Sequence, residues 1–284
     1  LFELCKVGNV EEQLTWFLKR YPQTKIFNAA SKFLNQHAFA EVLKQNTEVA
    51  YQTFATKYPQ SEEFKIALDS LESISYQGAL QANSVELYSR FLSQYPKSSK
   101  LGFVKRKMWD KAFQEAQEIH TKTAYADFIK RFAGSDLVLS AQKAIEKLDW
   151  EAALQGNQRA LFVLFVKDYP KSTLLKDALL RIEGFDWDLA KKENARDAFE
   201  KFLDKYPESS KKADALAFIE KFDWEMAKGE NTRESYATFV DKYPESGNLK
   251  QAMASIEKFD WSEASKDGSL QALQNFLNGY PDGA

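Results

Sequence analysis

A Tyr-Pro step recurs every 37 residues along the chain, at Tyr21-Pro22, Tyr58-Pro59, Tyr95-Pro96, Tyr169-Pro170, Tyr206-Pro207, Tyr243-Pro244 and Tyr280-Pro281. The one gap in the series is filled in register by Phe132-Ala133. A fixed period of this size marks stacked repeats, in which each unit is too small to bury its apolar face alone and does so against its neighbours. Length by itself would allow two ordinary domains, but a solenoid grows without dividing into separate cores. The period predicts an all-α, right-handed α-solenoid of about eight 37-residue helix-turn-helix repeats, one continuous array over residues 1–284.

The last full repeat shows how the period becomes helices. Asn231, with Glu234 three residues later, reads as a helix start: a short polar N-cap and an acid near the positive end of the helix dipole. Asn9/Glu12, Asn83/Glu86 and Asn194/Asp197 repeat the arrangement. Tyr236, Phe239, Val240 and Tyr243 then fall at i, i+3, i+4 and i+7, one apolar stripe. The phenylalanine four residues before the step is present in every copy: Phe17, Phe54, Phe91, Phe128, Phe165, Phe202, Phe239 and Phe276. Pro244 ends this helix, because it lacks an N–H and biases Tyr243 away from helical backbone. Ser246 reads as the N-cap of a second helix, with Ser61, Ser98, Ser135, Ser172, Ser209 and Thr24 in the same place. That helix carries Leu249, Ala252, Met253, Ile256 and Phe259 and reaches Lys266, where Asp267-Gly268 break it. Each repeat is expected to hold a helix of about 11 residues, a tight turn and a helix of about 20.

Two further columns keep the register. Ala79, Ala116, Ala153, Ala190, Ala227 and Ala264 let a neighbouring helix approach closely, and Phe2, Phe39, Tyr76, Phe113, Trp150, Trp187, Trp224 and Trp261 keep only bulk, as packing requires. Phe2 already sits in this column and the chain stops at Gly283-Ala284, where another helix would start. Neither end reads as a polar cap, so the chain is expected to be part of a longer protein.

Composition narrows the function. A formal net charge of −2 provides no basic footprint for nucleic acid. No run approaches the roughly 20 apolar residues that span a bilayer. Cys5 is the only cysteine and matches a small-residue column, so it reads as a packed thiol; the alternative is a lipid-modified cysteine, although no charged-then-apolar leader precedes it. Two histidines 83 residues apart form no metal or acid–base cluster by spacing, and the 11 glycines form no phosphate loop. No enzyme, cofactor or metal is expected from these residues.

The order Phe, Tyr-Pro, Ser, Ala-rich helix, as in Phe202, Tyr206, Pro207, Ser209 and Ala215, resembles the tetratricopeptide-like repeats of bacterial outer-membrane assembly lipoproteins and periplasmic coordinators. The resemblance implies a non-catalytic protein–protein interaction scaffold in the periplasm or at the periplasmic face of the outer membrane, with other proteins as partners. Membrane association would then run through a partner or a lipid anchor. The repeat departs from the family's usual length of about 34 residues, and its proline lies between the two helices rather than near the end of the second. Peptide-clasping positions of the family are therefore not carried over. The alternatives are a regulatory or spacer array attached to a catalytic domain outside this segment, a cytoplasmic location, and a glycan- or peptidoglycan-binding solenoid using exposed aromatics.

Two sets of residues stand out as candidate sites. The pairs Glu146/Asp149, Glu183/Asp186, Glu220/Asp223 and Glu257/Asp260 lie three apart on successive long helices, so each pair shares a face. They could form an acidic groove for a basic peptide or a divalent cation, but repetition at every layer favours bonding between repeats, through Lys147, Lys221 or Lys258. The second set is irregular. Trp109 stands where Glu is usual, Lys111 and His37 where an apolar residue is usual, His120 in place of Asn, and Phe132-Ala133-Gly134 in place of the Tyr-Pro step. Lys105, Arg106, Lys107, Lys130 and Arg131 add positive charge in the same layers. Trp109, Lys105, Arg106, Lys107, His120, Lys130 and Arg131 are the candidate partner-binding residues, with Trp109 as the anchor.

Overall fold

The computed structural model describes residues 10–281. Phe2, Cys5 and Asn9 lie outside them. Among the described residues there are fifteen helices and no strand. Short helices alternate with long ones: α1 Val10–Arg20, α2 Phe27–Gln45, α3 Glu48–Lys57, α4 Phe64–Ala82, α5 Val85–Gln94, α6 Leu101–Ile119, α7 Lys122–Arg131, α8 Val138–Gly156, α9 Arg159–Asp168, α10 Leu175–Glu193, α11 Arg196–Lys205, α12 Lys212–Glu230, α13 Arg233–Lys242, α14 Leu249–Asp267 and α15 Leu270–Gly279. Short helices after the first have 10 residues and long ones 19, so the expected helix-pair solenoid is the fold. The chain divides into two compact units, residues 1–149 and 150–284.

Aromatic rings hold each layer together in both units. The late aromatic of a long helix packs on the recurrent phenylalanine of the following short helix: Phe39 on Phe54 and Phe113 on Phe128 in the first unit, Trp187 on Phe202 and Trp224 on Phe239 in the second, with ring centroids 5.0–5.3 Å apart. Phe54, Phe91, Phe128, Phe165, Phe202 and Phe239 are all buried. An early alanine of the long helix (Ala30, Ala67, Ala141, Ala178, Ala215, Ala252) has no exposed surface, and α6 alone among these seven helices replaces it, with a fully buried Val104. The late alanines from Ala79 to Ala264 are buried too. Trp187 and Trp224 are core side chains, whereas Trp261 is half exposed.

The helix ends correct two sequence expectations. Asn231 is not the N-cap of α13 but the C-cap of α12, in left-handed backbone with φ 47°. Thr232 is the N-cap, and its hydroxyl accepts from the Ser235 N–H. Asn46, Asn83, Asn157 and Asn194 share the positive φ. Asparagine is the non-glycine residue that tolerates this conformation best. Its side chain also serves as an acceptor: Asn231 Oδ1 receives the Tyr236 hydroxyl at 3.2 Å, as Asn83 receives that of Tyr88 at 2.9 Å. His120 takes the same left-handed position, with Nδ1 3.2 Å from Tyr125 Oη, so it stands in for a C-cap asparagine rather than an N-cap. Asn231→Ala is expected to cost about 1 kcal/mol, since alanine meets the left-handed penalty and leaves Tyr236 without its acceptor. Asn231→Gly relieves the backbone and should stay within about 0.5 kcal/mol of the parent in urea unfolding; equal losses for both variants would contradict this account.

Ser246 likewise lies two residues before the true N-cap of α14, Asn248. It shapes the turn, with its N–H donating to Tyr243 O at 3.1 Å and its hydroxyl accepting from the Asn248 N–H at 3.0 Å. The same turn forms at Phe132-Ala133-Gly134, where the Ser135 N–H donates to Phe132 O at 2.8 Å. The lapse of the step therefore leaves the backbone intact and changes only the side chains presented there.

Candidate functional site

The aspartates of the second unit are rivets between layers, and Asp186, Asp223 and Asp260 find partners other than Lys221 and Lys258, the lysines expected from sequence. In the second unit Asp186 of α10 receives Arg159 Nε at 2.6 Å from the first residue of α9, Lys205 Nζ at 2.6 Å from the last residue of α11, and Tyr206 Oη at 2.5 Å. Asp223 repeats this with Arg196, Lys242 and Tyr243, each at 2.6 Å. Asp260 takes Arg233 and Tyr280. Asp186 and Asp223 thus each join a residue 27 positions before them to residues 19 and 20 positions after them. Burial by itself would raise the Asp186 pKa, but hydrogen bonds from Arg159, Lys205 and Tyr206 outweigh it and bring the pKa down to about 2. The same opposition lowers Asp223, with Lys242, Tyr243 and Arg196 as the donors. The glutamates of two pairs bind the next turn: Ser209 Oγ donates to Glu183 at 2.5 Å and Ser246 Oγ to Glu220 at 2.6 Å.

The first unit keeps this node but rearranges it. In the first layer Ala38 holds the aspartate position, and Glu11 of α1, in the arginine position, accepts directly from Lys57 and from Tyr58 Oη. The carboxylate has moved from the long helix to the short one, and its two donors have stayed. In the next layer Glu72 accepts from Ser98 Oγ at 2.7 Å and Lys100 Nζ at 2.8 Å, as the glutamate column requires.

The layer of α6 keeps neither acid and, unlike the layer of α2 with Asn35 and Ala38 in these columns, has no glutamate in the arginine position either. Val85, Trp109, Ala112, Arg131 and Phe132 hold the places that Arg196, Glu220, Asp223, Lys242 and Tyr243 hold three repeats later. The loss is coherent: without an aspartate to receive it, the tyrosine hydroxyl has no acceptor, and phenylalanine replaces tyrosine. At this layer a groove of about 990 Å³ lies between α5, α6 and the α7 end, lined by Val85, Lys105, Trp109, Arg131, Phe132 and Gly134 among others. Separate hollows beside the filled nodes of Asp223 and Asp186, lined mainly by α12 with α13 and by α10 with α11, measure about 560 Å³ and about 170 Å³.

The groove brings together three of the seven candidate partner-binding residues. Lys105 Nζ stands 5.0 Å from the centre of the Trp109 ring, and the Arg131 guanidinium 5.1 Å from that of Phe132. The other four do not line it. Arg106 pairs with Asp110 and Asp136, Lys107 rests 5.6 Å from the Phe103 ring, His120 caps α6, and Lys130 lies on α7. Sequence reasoning found Trp109 but missed Ala112. The missing aspartate was legible as a break in the acidic column, and its meaning required knowing what that aspartate holds.

Among the described residues no group of three or more His, Cys, Asp or Glu side chains could hold a metal ion. No described helix is long and apolar enough to cross a membrane.

A family model described as Tetratricopeptide repeat matches residues 175–209. The match starts at the first residue of α10 and ends just after α11, so in its frame the long helix comes first and Tyr206-Pro207 closes the second helix. The apparent displacement of the proline thus reflects only where counting begins. No curated protein matches the chain. The 37-residue period, the alternating helix pairs and this match together make the chain a helical-repeat protein similar to tetratricopeptide-repeat proteins.

Proposed function

We propose that this chain is a non-catalytic protein–protein interaction scaffold, an assembly or accessory subunit of a bacterial cell-envelope complex at the periplasmic face of the outer membrane. Tetratricopeptide repeats commonly mediate contacts between proteins, which supports the scaffold role. The envelope setting rests on the Phe, Tyr-Pro, Ser, Ala pattern of the repeats. The observation that carries the reading is the open node between α5 and α7. Several neighbouring positions depart from the repeat there at once, and they produce a concave surface with a central aromatic instead of a closed rivet. A half-buried Trp109 flanked by cations is the kind of side chain that anchors an interface.

The test is photo-crosslinking in the native cell. A benzophenone amino acid replaces Lys105 at the groove or, as a control, Lys250 on α14. The expected result is a discrete protein adduct at the groove position, to an envelope protein, in the membrane or periplasmic fraction. Absence of any protein adduct from positions sampled over both units would overturn the scaffold reading, and adducts only to cytoplasmic proteins would overturn the envelope setting.

A further inference from the structure

We infer that the groove between α5 and α7 accepts a carboxylate from an acidic segment of a partner protein, in the place where α8, α10, α12 and α14 keep Asp149, Asp186, Asp223 and Asp260 of their own. The inference rests on the scaffold reading and names the chemistry of its partner. Its basis is the pose of Arg131. In the filled nodes the ammonium of Lys205 lies 5.2 Å from the centre of the Tyr206 ring and that of Lys242 5.2 Å from the Tyr243 ring, while both bind their aspartates. The Arg131 guanidinium lies at a similar distance over Phe132, 5.1 Å, with Ala112 in the aspartate position. The donor is in place and the acceptor is absent.

The surroundings favour an incoming anion with an apolar neighbour. Lys105 occupies a column that Leu179, Leu216 and Met253 fill in the second unit, so a second cation has been added at the groove. Among the described residues Lys105 and Arg131 have ring contacts and no ion pair. Two acids also line the groove: Glu115, 3.8 Å from Lys111, and Glu86 on the first turn of α5. Trp109 supplies an aromatic face beside these charges. A planar guanidinium takes a carboxylate through two hydrogen bonds, which makes Arg131 a better receptor for a mobile ligand than the lysine of the closed nodes. The occupant is therefore an extended stretch bearing an Asp or Glu next to a leucine or similar apolar residue.

The full chain, labelled with nitrogen-15, is titrated with the peptide acetyl-Ser-Leu-Asp-Leu-Ser-amide and with its Asn counterpart, following the six tryptophan indole signals. The expected result is a shift of the Trp109 signal, weakened about tenfold or more by the Asn peptide, by Arg131→Gln and by raised salt. A variant with Val85→Arg, Ala112→Asp and Phe132→Tyr rebuilds the closed node. It should fold with a higher Tm and lose the shift. No Trp109 shift, a shift indifferent to the carboxylate, or undiminished binding by the folded rebuilt variant would each overturn the inference. The two proposals fail separately: partner adducts that survive Arg131→Gln leave the scaffold standing without the carboxylate site, whereas carboxylate-dependent peptide binding without any adduct in the cell does the reverse.

Discussion

Phe202→Ala is expected to destabilise the second unit by about 3–5 kcal/mol, the range for deleting a buried aromatic ring. Phe202 is the recurrent phenylalanine of its repeat, buried on α11 between Trp187 and Tyr206 with both ring centroids 5.1 Å away. Tyr206 is fixed by its bond to Asp186 and Trp187 by its own burial, so collapse into the space is limited and the cavity persists. In a repeat array stability is a sum of unit and interface contributions, so the loss falls on the layers of α10 to α12 first. Urea unfolding followed by tryptophan fluorescence measures it, and hydrogen exchange locates it. The control is Leu216→Ala on α12, whose side chain is 48% exposed and should change stability by less than about 1 kcal/mol. Similar losses for the two variants would mean that the phenylalanine column is not the structural spine.

Asp223→Ala is expected to cost about 2–3 kcal/mol, measured in the same urea unfolding. The acceptor side chain is 9% exposed and gathers three donors, so its removal takes one partner each from Arg196, Lys242 and Tyr243, and Arg196 keeps only Glu200 among the described residues. Breaking a fully buried pair costs about 3–5 kcal/mol, but Arg196 and Lys242 reach solvent and can be rehydrated, which reduces the figure. Asp223→Asn should cost less than Ala, since the amide oxygen still accepts.

The same nodes set the response to acid. Asp186, Asp223 and Asp260 are all held below the ordinary carboxylate range in the folded chain. A depressed folded pKa means that the unfolded chain binds protons more readily, so stability falls as pH falls. The contribution is complete above about pH 5, where the unfolded carboxylates are fully ionised. It is lost as the pH drops toward the Asp186 value of about 2. Asp223→Ala should flatten the stability profile across that window, and an unchanged profile would contradict the assignment. The groove layer around Ala112 has no such carboxylate, so its local stability should be less sensitive to acid over the same range.

Much of the fold was written in local patterns. Helix length, the phenylalanine spine, the alanine columns and the stop at the Tyr-Pro step each follow from residues within one turn or two of each other, and their 37-residue return identifies stacked pairs. The helix caps were harder. At several junctions Asn stands beside Thr or Ser, both suit an N-cap, and only the backbone dihedrals show that the asparagine closes one helix while its neighbour opens the next.

By itself the sequence determined the periodic parts: the class, the repeat, the core columns and the place where the pattern lapses. Tertiary structure alone decided what the charged residues do. Asp186 finds its partners 27 residues back and 19 and 20 residues ahead, separations set by how one helix pair lies on the next and by no local spacing rule. The same packing turns Ala112, an ordinary small residue in sequence, into the absent centre of a node whose donor remains poised. Apolar periodicity is legible in sequence because each helix must present its own stripe to the core. The pairing of charges between layers is decided only when the layers meet.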